Sequence, residues 1–201
     1  GLNMLENLPF WHAFLTKLGF EVVTSGVSTR ETYIKGQFSI PSDTVCYPAK
    51  LMHGHIADLL ERGVKTIFYP CMTYYPELLH ANVAELNAPD VHFLYPHVAV
   101  HRPKKFAEKI HGALAAVFPD ITQREVRAAA GAAYAAYDRW MQDVKAEGRR
   151  IIDEARAAGR RIIVLAGRPY HIDPEISHGI DALIASFDIA VVSEDCVADL
   201  E

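Results

Sequence analysis

The apolar positions of the chain follow two different periods, and these periods predict its elements. Apolar residues three or four positions apart predict amphipathic helices. Short unbroken apolar runs predict strands that are buried on both faces of a sheet. The predicted helices cover about residues 9–19, 29–35, 48–62, 103–117, 122–158 and 174–186. The predicted strands cover about residues 20–24, 64–69, 91–95, 161–166 and 189–193.

The order of these elements predicts an α/β fold. Strands that alternate with helices are typical of parallel sheets, and a capping box at Thr122-Gln-Arg-Glu125 opens a long helix between two such regions. We therefore expect a first α/β half over residues 1–102, a helical connection over 103–158 and the start of a second half over 159–201. The chain opens on a helical pattern and stops five residues after Cys196, so we expect a piece of a longer polypeptide whose second half is incomplete.

Composition and charge argue against several classes of function. The 201 residues carry a net charge of −5 without a block of Lys or Arg, so the chain has no electrostatic footprint for nucleic acid. No apolar stretch approaches the ~20 residues of a membrane span, and no secretory signal pattern is visible. Three cysteines are too few, and odd in number, for a disulfide framework. We therefore expect a reducing, cytoplasmic location.

The three cysteines stand far apart in sequence but share one kind of position. Cys46 precedes a predicted helix, whereas Cys71 and Cys196 each follow a predicted strand. In an open parallel sheet, strand ends and helix starts line one crevice where ligands bind. Three thiols there suit a metal ion or an iron–sulfur cluster, although a single cysteine is more often an inert buried residue. Their spacings of 25 and 125 residues match no compact ligand motif, so the hypothesis depends on the shared placement.

Zinc is the alternative metal at this crevice. It would need a fourth ligand beside the three thiols. The candidates for that ligand are His53, His55, His171, His178 and Asp195. His53 and His55 would point to opposite sides of one helix, so we expect them to be surface histidines rather than a chelating pair.

The densest polar segment of the chain covers residues 167–179. It follows a predicted strand and leads into a predicted helix. Arg168 is suited to a phosphate or carboxylate group, and His171 lies close to it in sequence. A structural interpretation is equally favoured, in which Asp173 caps a helix that Pro174 opens. The chain contains neither of the glycine-rich phosphate loops typical of ATP and dinucleotide sites.

Five motifs occur along the chain in a fixed order. They are Asn3-Met-Leu-Glu-Asn-Leu-Pro-Phe-Trp11, Pro41-Ser-Asp-Thr-Val-Cys-Tyr-Pro-Ala-Lys-Leu51 with His53-Gly-His55, Phe68-Tyr-Pro-Cys71, Leu165-Ala-Gly-Arg-Pro-Tyr-His-Ile-Asp-Pro-Glu175 and Ser193-Glu-Asp-Cys196. Through them, nearly the whole chain resembles the acyl-CoA dehydratase activase-related proteins, and specifically the domain that follows their ATPase modules. That domain is similar, more distantly, to subunits of 2-hydroxyacyl-CoA dehydratases and benzoyl-CoA reductases.

The resemblance implies Rossmann-like α/β halves and a [4Fe–4S] cluster held by three cysteines, which here are Cys46, Cys71 and Cys196. Arg168 and His171 are candidates for contacts just outside those ligands. The resemblance also implies the passage of single electrons in acyl-CoA dehydration or reduction. ATP-driven electron delivery would belong to ATPase modules of the same or a partner chain. This segment is therefore not expected to catalyse a reaction alone, and acyl-CoA would be a substrate of the larger protein.

Two other functions stay open from the residues themselves. One is a metal-free interaction domain that docks ATPase and dehydratase-like partners. The other, less favoured, is a zinc-dependent enzyme, because no zinc signature accompanies the three thiols. Neither nucleic acid nor a membrane is expected as a partner.

Overall fold

The computed structural model describes residues 4–71 and 75–198, where helices predominate over short strands. The helices are α1 (Met4–Lys17), α2 (Arg30–Gly36), α3 (Tyr47–Glu61), α4 (Tyr75–Asn82), α5 (Pro103–Ala115), α6 (Gln123–Ala157), α7 (Pro174–Ser177) and α8 (Ile180–Ala185). The strands are β1 (Thr66–Phe68), β2 (His92–Leu94), β3 (Ile162–Leu165) and β4 (Ala190–Ser193). Short 3-10 turns lie at Gln37–Ser39, Ala84–Asn87, Pro169–Ile172 and Glu194–Cys196. Within this described part, no helix has the length and apolar character needed to cross a bilayer.

The strands form two separate sheets, and both are parallel. In the first sheet Ile67 of β1 lies opposite Phe93 of β2. In the second sheet Val164 of β3 lies opposite Val192 of β4. Parallel neighbours need a crossover connection, which α4 supplies in the first sheet and α7 with α8 supply in the second. The predicted α/β class, with parallel sheets on either side of a long helix, is confirmed.

Two hydrophobic cores hold these elements together. The first lies where α1 packs against α5 and α6, and its largest buried side chains include Phe10, Phe14 and Phe106. The second lies between α3 and the first sheet and includes Leu51 and Ile67. Full burial of such a side chain contributes about 1.5–3 kcal/mol. The second core therefore fixes the N-terminal end of α3 relative to the ends of β1 and β2.

The long helix α6 joins the two sheets. Thr122 and Glu125 form the predicted capping box, in which each side chain accepts a hydrogen bond from the backbone N–H of the other. The first third of α6 packs on α1 and α5 through Val126 and Ala133. Its last third contacts β4 and the turn that follows, next to Gly148.

The predicted strand at residues 20–24 was wrong, because this segment has an irregular backbone. The ring of Phe20 packs edge-on against Phe118, with ring centres 5.0 Å apart. The Arg62 guanidinium donates a hydrogen bond to the Thr24 carbonyl oxygen at 2.8 Å. A strand forms only when its backbone groups pair with a neighbouring strand, and here side chains supply the contacts instead.

The predicted helix over residues 174–186 is interrupted between α7 and α8. His178 and Gly179 adopt left-handed conformations there, with φ of 52° and 72°. Two such residues break the helical hydrogen-bond pattern. Apolar spacing continues across this break, so the period of the sequence did not indicate it.

Candidate functional site

Cys46 lies directly before the N-terminal residue of α3, where the sequence predicted it. Its backbone is extended, with φ of −62° and ψ of 149°, and it precedes the first helical turn. Pro48 occupies that turn, where a missing N–H costs no helical hydrogen bond. The Cys46 side chain is exposed, and its sulfur lies 3.0 Å from the hydroxyl of Tyr75.

Tyr75 connects Cys46 with two other parts of the chain. It is the first residue of α4, four positions after Cys71. Its hydrogen bond with Cys46, followed by burial and the charges of Cys46 and Tyr170, together raise the pKa of Tyr75 to about 12. The segment after β3 lies near the N-terminal end of α3, because the Tyr47 hydroxyl donates a hydrogen bond to Glu175 Oε1 at 2.5 Å.

Cys71 continues the first sheet beyond β1. Its backbone N–H donates to the Pro96 carbonyl oxygen at 3.0 Å, and its backbone pairs with that of His97. The Cys71 side chain is buried. The Cys71 sulfur, a Glu77 carboxylate oxygen and a His97 ring nitrogen all lie within 4.8 Å of one another. Sequence reasoning missed Glu77 and His97, because no local spacing links them to Cys71.

Cys196 lies in the short turn that follows β4, and α6 runs beside it. A Cβ atom added at Gly148 would overlap the Cβ and the sulfur of Cys196, so glycine alone allows this close approach. The Ser193 hydroxyl lies 3.4 Å from the Cys196 sulfur. Burial, followed by the charge of Asp195, raises the pKa of Glu6, so the first turn of α1 also lies near this turn.

A cleft of about 240 Å³ opens where β3 and β4 end. Residues 167–169, 171 and 172 line it on one side, and residues 193–195 line it on the other. The Arg168 backbone N–H donates to His171 Nδ1 at 2.9 Å, which leaves the proton of the neutral ring on Nε2. Gly167 permits this contact, since a Cβ there would overlap the His171 ring. Arg168 and His171 therefore lie together in the predicted crevice, on the wall opposite the turn after β4.

Ser28 links distant parts of the chain through a buried hydrogen-bond network. Its hydroxyl donates to Asp173 Oδ2 at 2.5 Å and lies 3.0 Å from His55 Nε2. Burial lowers the pKa of His55 to about 4, so the ring is neutral at pH 7 and donates its Nε2–H to the Ser28 oxygen. Asp173 also caps α7, as predicted, by accepting from the N–H groups of Glu175 and Ile176 at 3.0 and 3.2 Å.

The expectation that His53 and His55 are surface histidines was wrong. His53 is 1% exposed, and its Nδ1 lies 2.8 Å from the Ser39 hydroxyl. His55 is partly buried against Ser28. The two rings contact different elements, so they do not chelate together. Helical spacing did not show their burial, because it results from α2 and the turn after it packing on this side of α3.

Separate contacts link the segments of the chain that carry the three cysteines. The Cys46 sulfur contacts Tyr75, four residues after Cys71, and the segment after β3 that borders the cleft lies near the same end of α3. The other wall leads into the turn that contains Cys196. Within residues 4–71 and 75–198, the three thiols do not form the compact group that a single ion needs. A single ion needs all of its ligand atoms close together, whereas the several irons of a cluster hold their thiolates further apart.

Residues 1–197 match the family model of the CoA enzyme activase uncharacterised domain. The chain belongs to this family. Membership confirms the resemblance to activase-related proteins that the five motifs indicated, because the match covers every one of them. It also implies that this activase domain works with ATPase or dehydratase partners in general. No curated protein and no solved structure matches the chain.

Proposed function

We propose that this activase domain is a redox module that binds a [4Fe–4S] cluster through Cys46, Cys71 and Cys196. The observations that carry the proposal are the contact of the Cys46 sulfur with Tyr75, four residues after Cys71, and the hydrogen bond from Tyr47 beside Cys46 to Glu175 in the segment that follows β3. In the proposed site, one helix start and two strand ends share the same region. Each of them supplies one cysteine.

The donor set fits such a cluster. Cysteine thiolates are the usual protein ligands of iron–sulfur clusters, and three of them leave one iron position for a small ligand or a substrate. Hydrogen bonds to the ligand sulfurs tune the potential of a cluster. The hydroxyls of Tyr75 and Ser193 are suited to that role, at 3.0 and 3.4 Å from the sulfurs of Cys46 and Cys196.

The residues of this chain hold the cluster and shape its surroundings. When bound, the cluster supplies one-electron transfer. The Arg168 guanidinium and the His171 Nε2–H offer donors on the cleft wall for an anionic group such as a carboxylate or phosphate. ATP-driven electron delivery belongs to ATPase modules of the same or a partner chain, and the reaction of acyl-CoA belongs to the larger protein.

Anaerobic purification with iron and sulfide analysis tests the proposal. We expect about four irons and four sulfides per chain, with broad absorbance near ~400 nm. Cys46→Ser, Cys71→Ser and Cys196→Ser should each lose most of both, because each variant removes one ligand. Ser42→Ala is the matched control, since Ser42 lies in the loop before α3 and hydrogen-bonds with Thr44. Wild-type protein that remains free of iron after anaerobic reconstitution would contradict the proposal.

A metal-free docking role is the second candidate function, and exposed apolar side chains favour it. Ile180, Leu183 and Phe187 are 51%, 59% and 66% exposed, on α8 and in the turn after it. Grouped apolar side chains on a surface are typical of protein interaction sites. The same anaerobic sample separates the candidates. Metal-free protein that still binds an ATPase or dehydratase-like partner supports docking, whereas stoichiometric zinc supports a zinc-dependent enzyme.

A further inference from the structure

Cys71, Glu77 and His97 meet at the end of the first sheet. Cys71 and His97 are neighbours because the chain continues the parallel pairing beyond both β1 and β2. Glu77 belongs to the first turn of α4, the helix that follows β1. Strand ends and the helix starts beside them are where α/β proteins bind ligands. Three elements therefore deliver one candidate ligand each to the same point.

The spacing of the three groups fits a single tetrahedral ion. Their ligand atoms all lie within 4.8 Å of one another. His97 Nε2 is 3.2 Å from Glu77 Oε1. Two ligands held ~2.1 Å from a tetrahedral zinc ion would be about 3.4 Å apart, so this pair already has the required separation. An ion would take the place of the proton between them.

The three groups differ in burial in a way that suits an open metal site. Cys71 is 3% exposed, whereas the side chains of His97 and Glu77 are 66% and 47% exposed. A buried sulfur can anchor the ion while two exposed side chains adjust around it. The fourth position then faces solvent. Three protein ligands with one open position are the pattern of catalytic zinc sites, whereas structural zinc sites have four protein ligands.

We propose that Cys71, Glu77 and His97 bind a single thiophilic divalent ion of the zinc class. Thiolate and imidazole ligands favour such ions over magnesium or calcium. The inference goes beyond the proposed cluster, in which Glu77 and His97 take no part. The two occupants share Cys71 and therefore exclude each other, so an ion bound at this site prevents the cluster from assembling.

Cobalt(II) is the probe, because it accepts the ligands of zinc and its thiolate complexes absorb light. Titration of reduced, metal-stripped protein should give a thiolate-to-cobalt band that saturates at one ion per chain and that Zn²⁺ removes. His97→Ala and Glu77→Gln should each weaken cobalt binding by more than about tenfold. Cys71→Ser should abolish the band, because the band needs the sulfur. His101→Ala is the matched control, since it removes an exposed histidine four residues after His97.

Cys46→Ser and Cys196→Ser separate this site from the proposed cluster. Both should keep the wild-type cobalt band, although both should lose iron in the anaerobic experiment. Failure of the iron experiment would leave these cobalt results unchanged. A band that survives Cys71→Ser, that is unaffected by both His97→Ala and Glu77→Gln, or that never forms in the wild type overturns the single-ion site. The Glu77 and His97 variants keep the test decisive even if Cys71→Ser does not fold, because both side chains are exposed.

Discussion

Gly148 determines how closely Cys196 can approach the long helix. A Cβ at this position would overlap the Cβ and the sulfur of Cys196. Glycine inside a helix costs about 1 kcal/mol relative to alanine, and here the close packing of the turn after β4 offsets that cost. The position of one candidate ligand therefore depends on a residue without a side chain on another element.

Gly148→Ala should destabilise the protein by about 1–3 kcal/mol, because overpacking forces the turn away from α6. Gly131→Ala is the matched control in the same helix, since a Cβ there meets no atom within 4 Å. The control should raise the free energy of unfolding by up to ~1 kcal/mol through helix propensity alone. Urea denaturation measures both values, and a Gly148→Ala variant as stable as Gly131→Ala would contradict the packing argument.

The sequence predicted the placement of the cysteines better than that of their neighbours. Cys46 precedes a helical pattern and Cys71 follows an apolar run, so both carry local signals. Glu77 and His97 carry no local signal. His97 lies beside Cys71 because the backbones of two segments pair, and Glu77 lies there because α4 packs next to them. The burial of His53 was missed for the same reason, since the covering residues belong to another part of the chain.

Among the elements, those with strong end signals were predicted to within a few residues. The capping box at Thr122 marked the start of α6, and Pro103 marked that of α5. The strand at residues 20–24 failed because a strand needs a partner, and apolar content alone does not provide one. The break between α7 and α8 was missed because it is a matter of backbone conformation at two residues and leaves the apolar spacing intact.

Thr122→Ala should lower the free energy of unfolding by about 1 kcal/mol, because it removes the side chain that caps the first turn of α6. Thr16→Ala is the matched control, since Thr16 is an exposed threonine within α1. The control should change stability by less than about 0.5 kcal/mol. Chemical denaturation followed by circular dichroism compares the two variants, and equal effects would show that the cap contributes nothing.

For the whole molecule, the buried hydrogen bond from Ser28 to Asp173 is a long-range connection that joins residues 145 positions apart. It ties the segment before α2 to the cap of α7, and His55 completes it from α3. No sequence pattern indicated this bond, because its members belong to three separate elements. The division at residues 102 and 158 and the cytoplasmic location both stay predictions.

The buried His55 should make stability depend on pH. Its pKa falls from 6.5 in the unfolded chain to about 4 in the folded protein, chiefly through burial. Between these values the unfolded chain binds a proton that the folded protein does not, so the free energy of unfolding decreases as the pH falls from 6.5 towards 4. The loss over the full window is up to about 3 kcal/mol.

His55→Gln should flatten this dependence, because glutamine keeps an N–H donor for Ser28 but does not titrate. His12→Gln, at an exposed histidine of α1, should follow the wild-type curve. Urea denaturation at pH 7 and pH 4.5 gives the slopes. If His55→Gln loses as much stability as the wild type between these values, the network does not hold a neutral imidazole.

The length of α6 makes the geometry of this domain sensitive to helical phase. Its 35 residues span about 50 Å. Helix α1 packs along its first third, and the turn that contains Cys196 packs near Gly148. One residue inserted between Tyr137 and Gly148 would swing everything beyond it by about 100° around the helix axis and advance it by about 1.5 Å. The number of residues in α6 thus sets the angle at which one sheet faces the other.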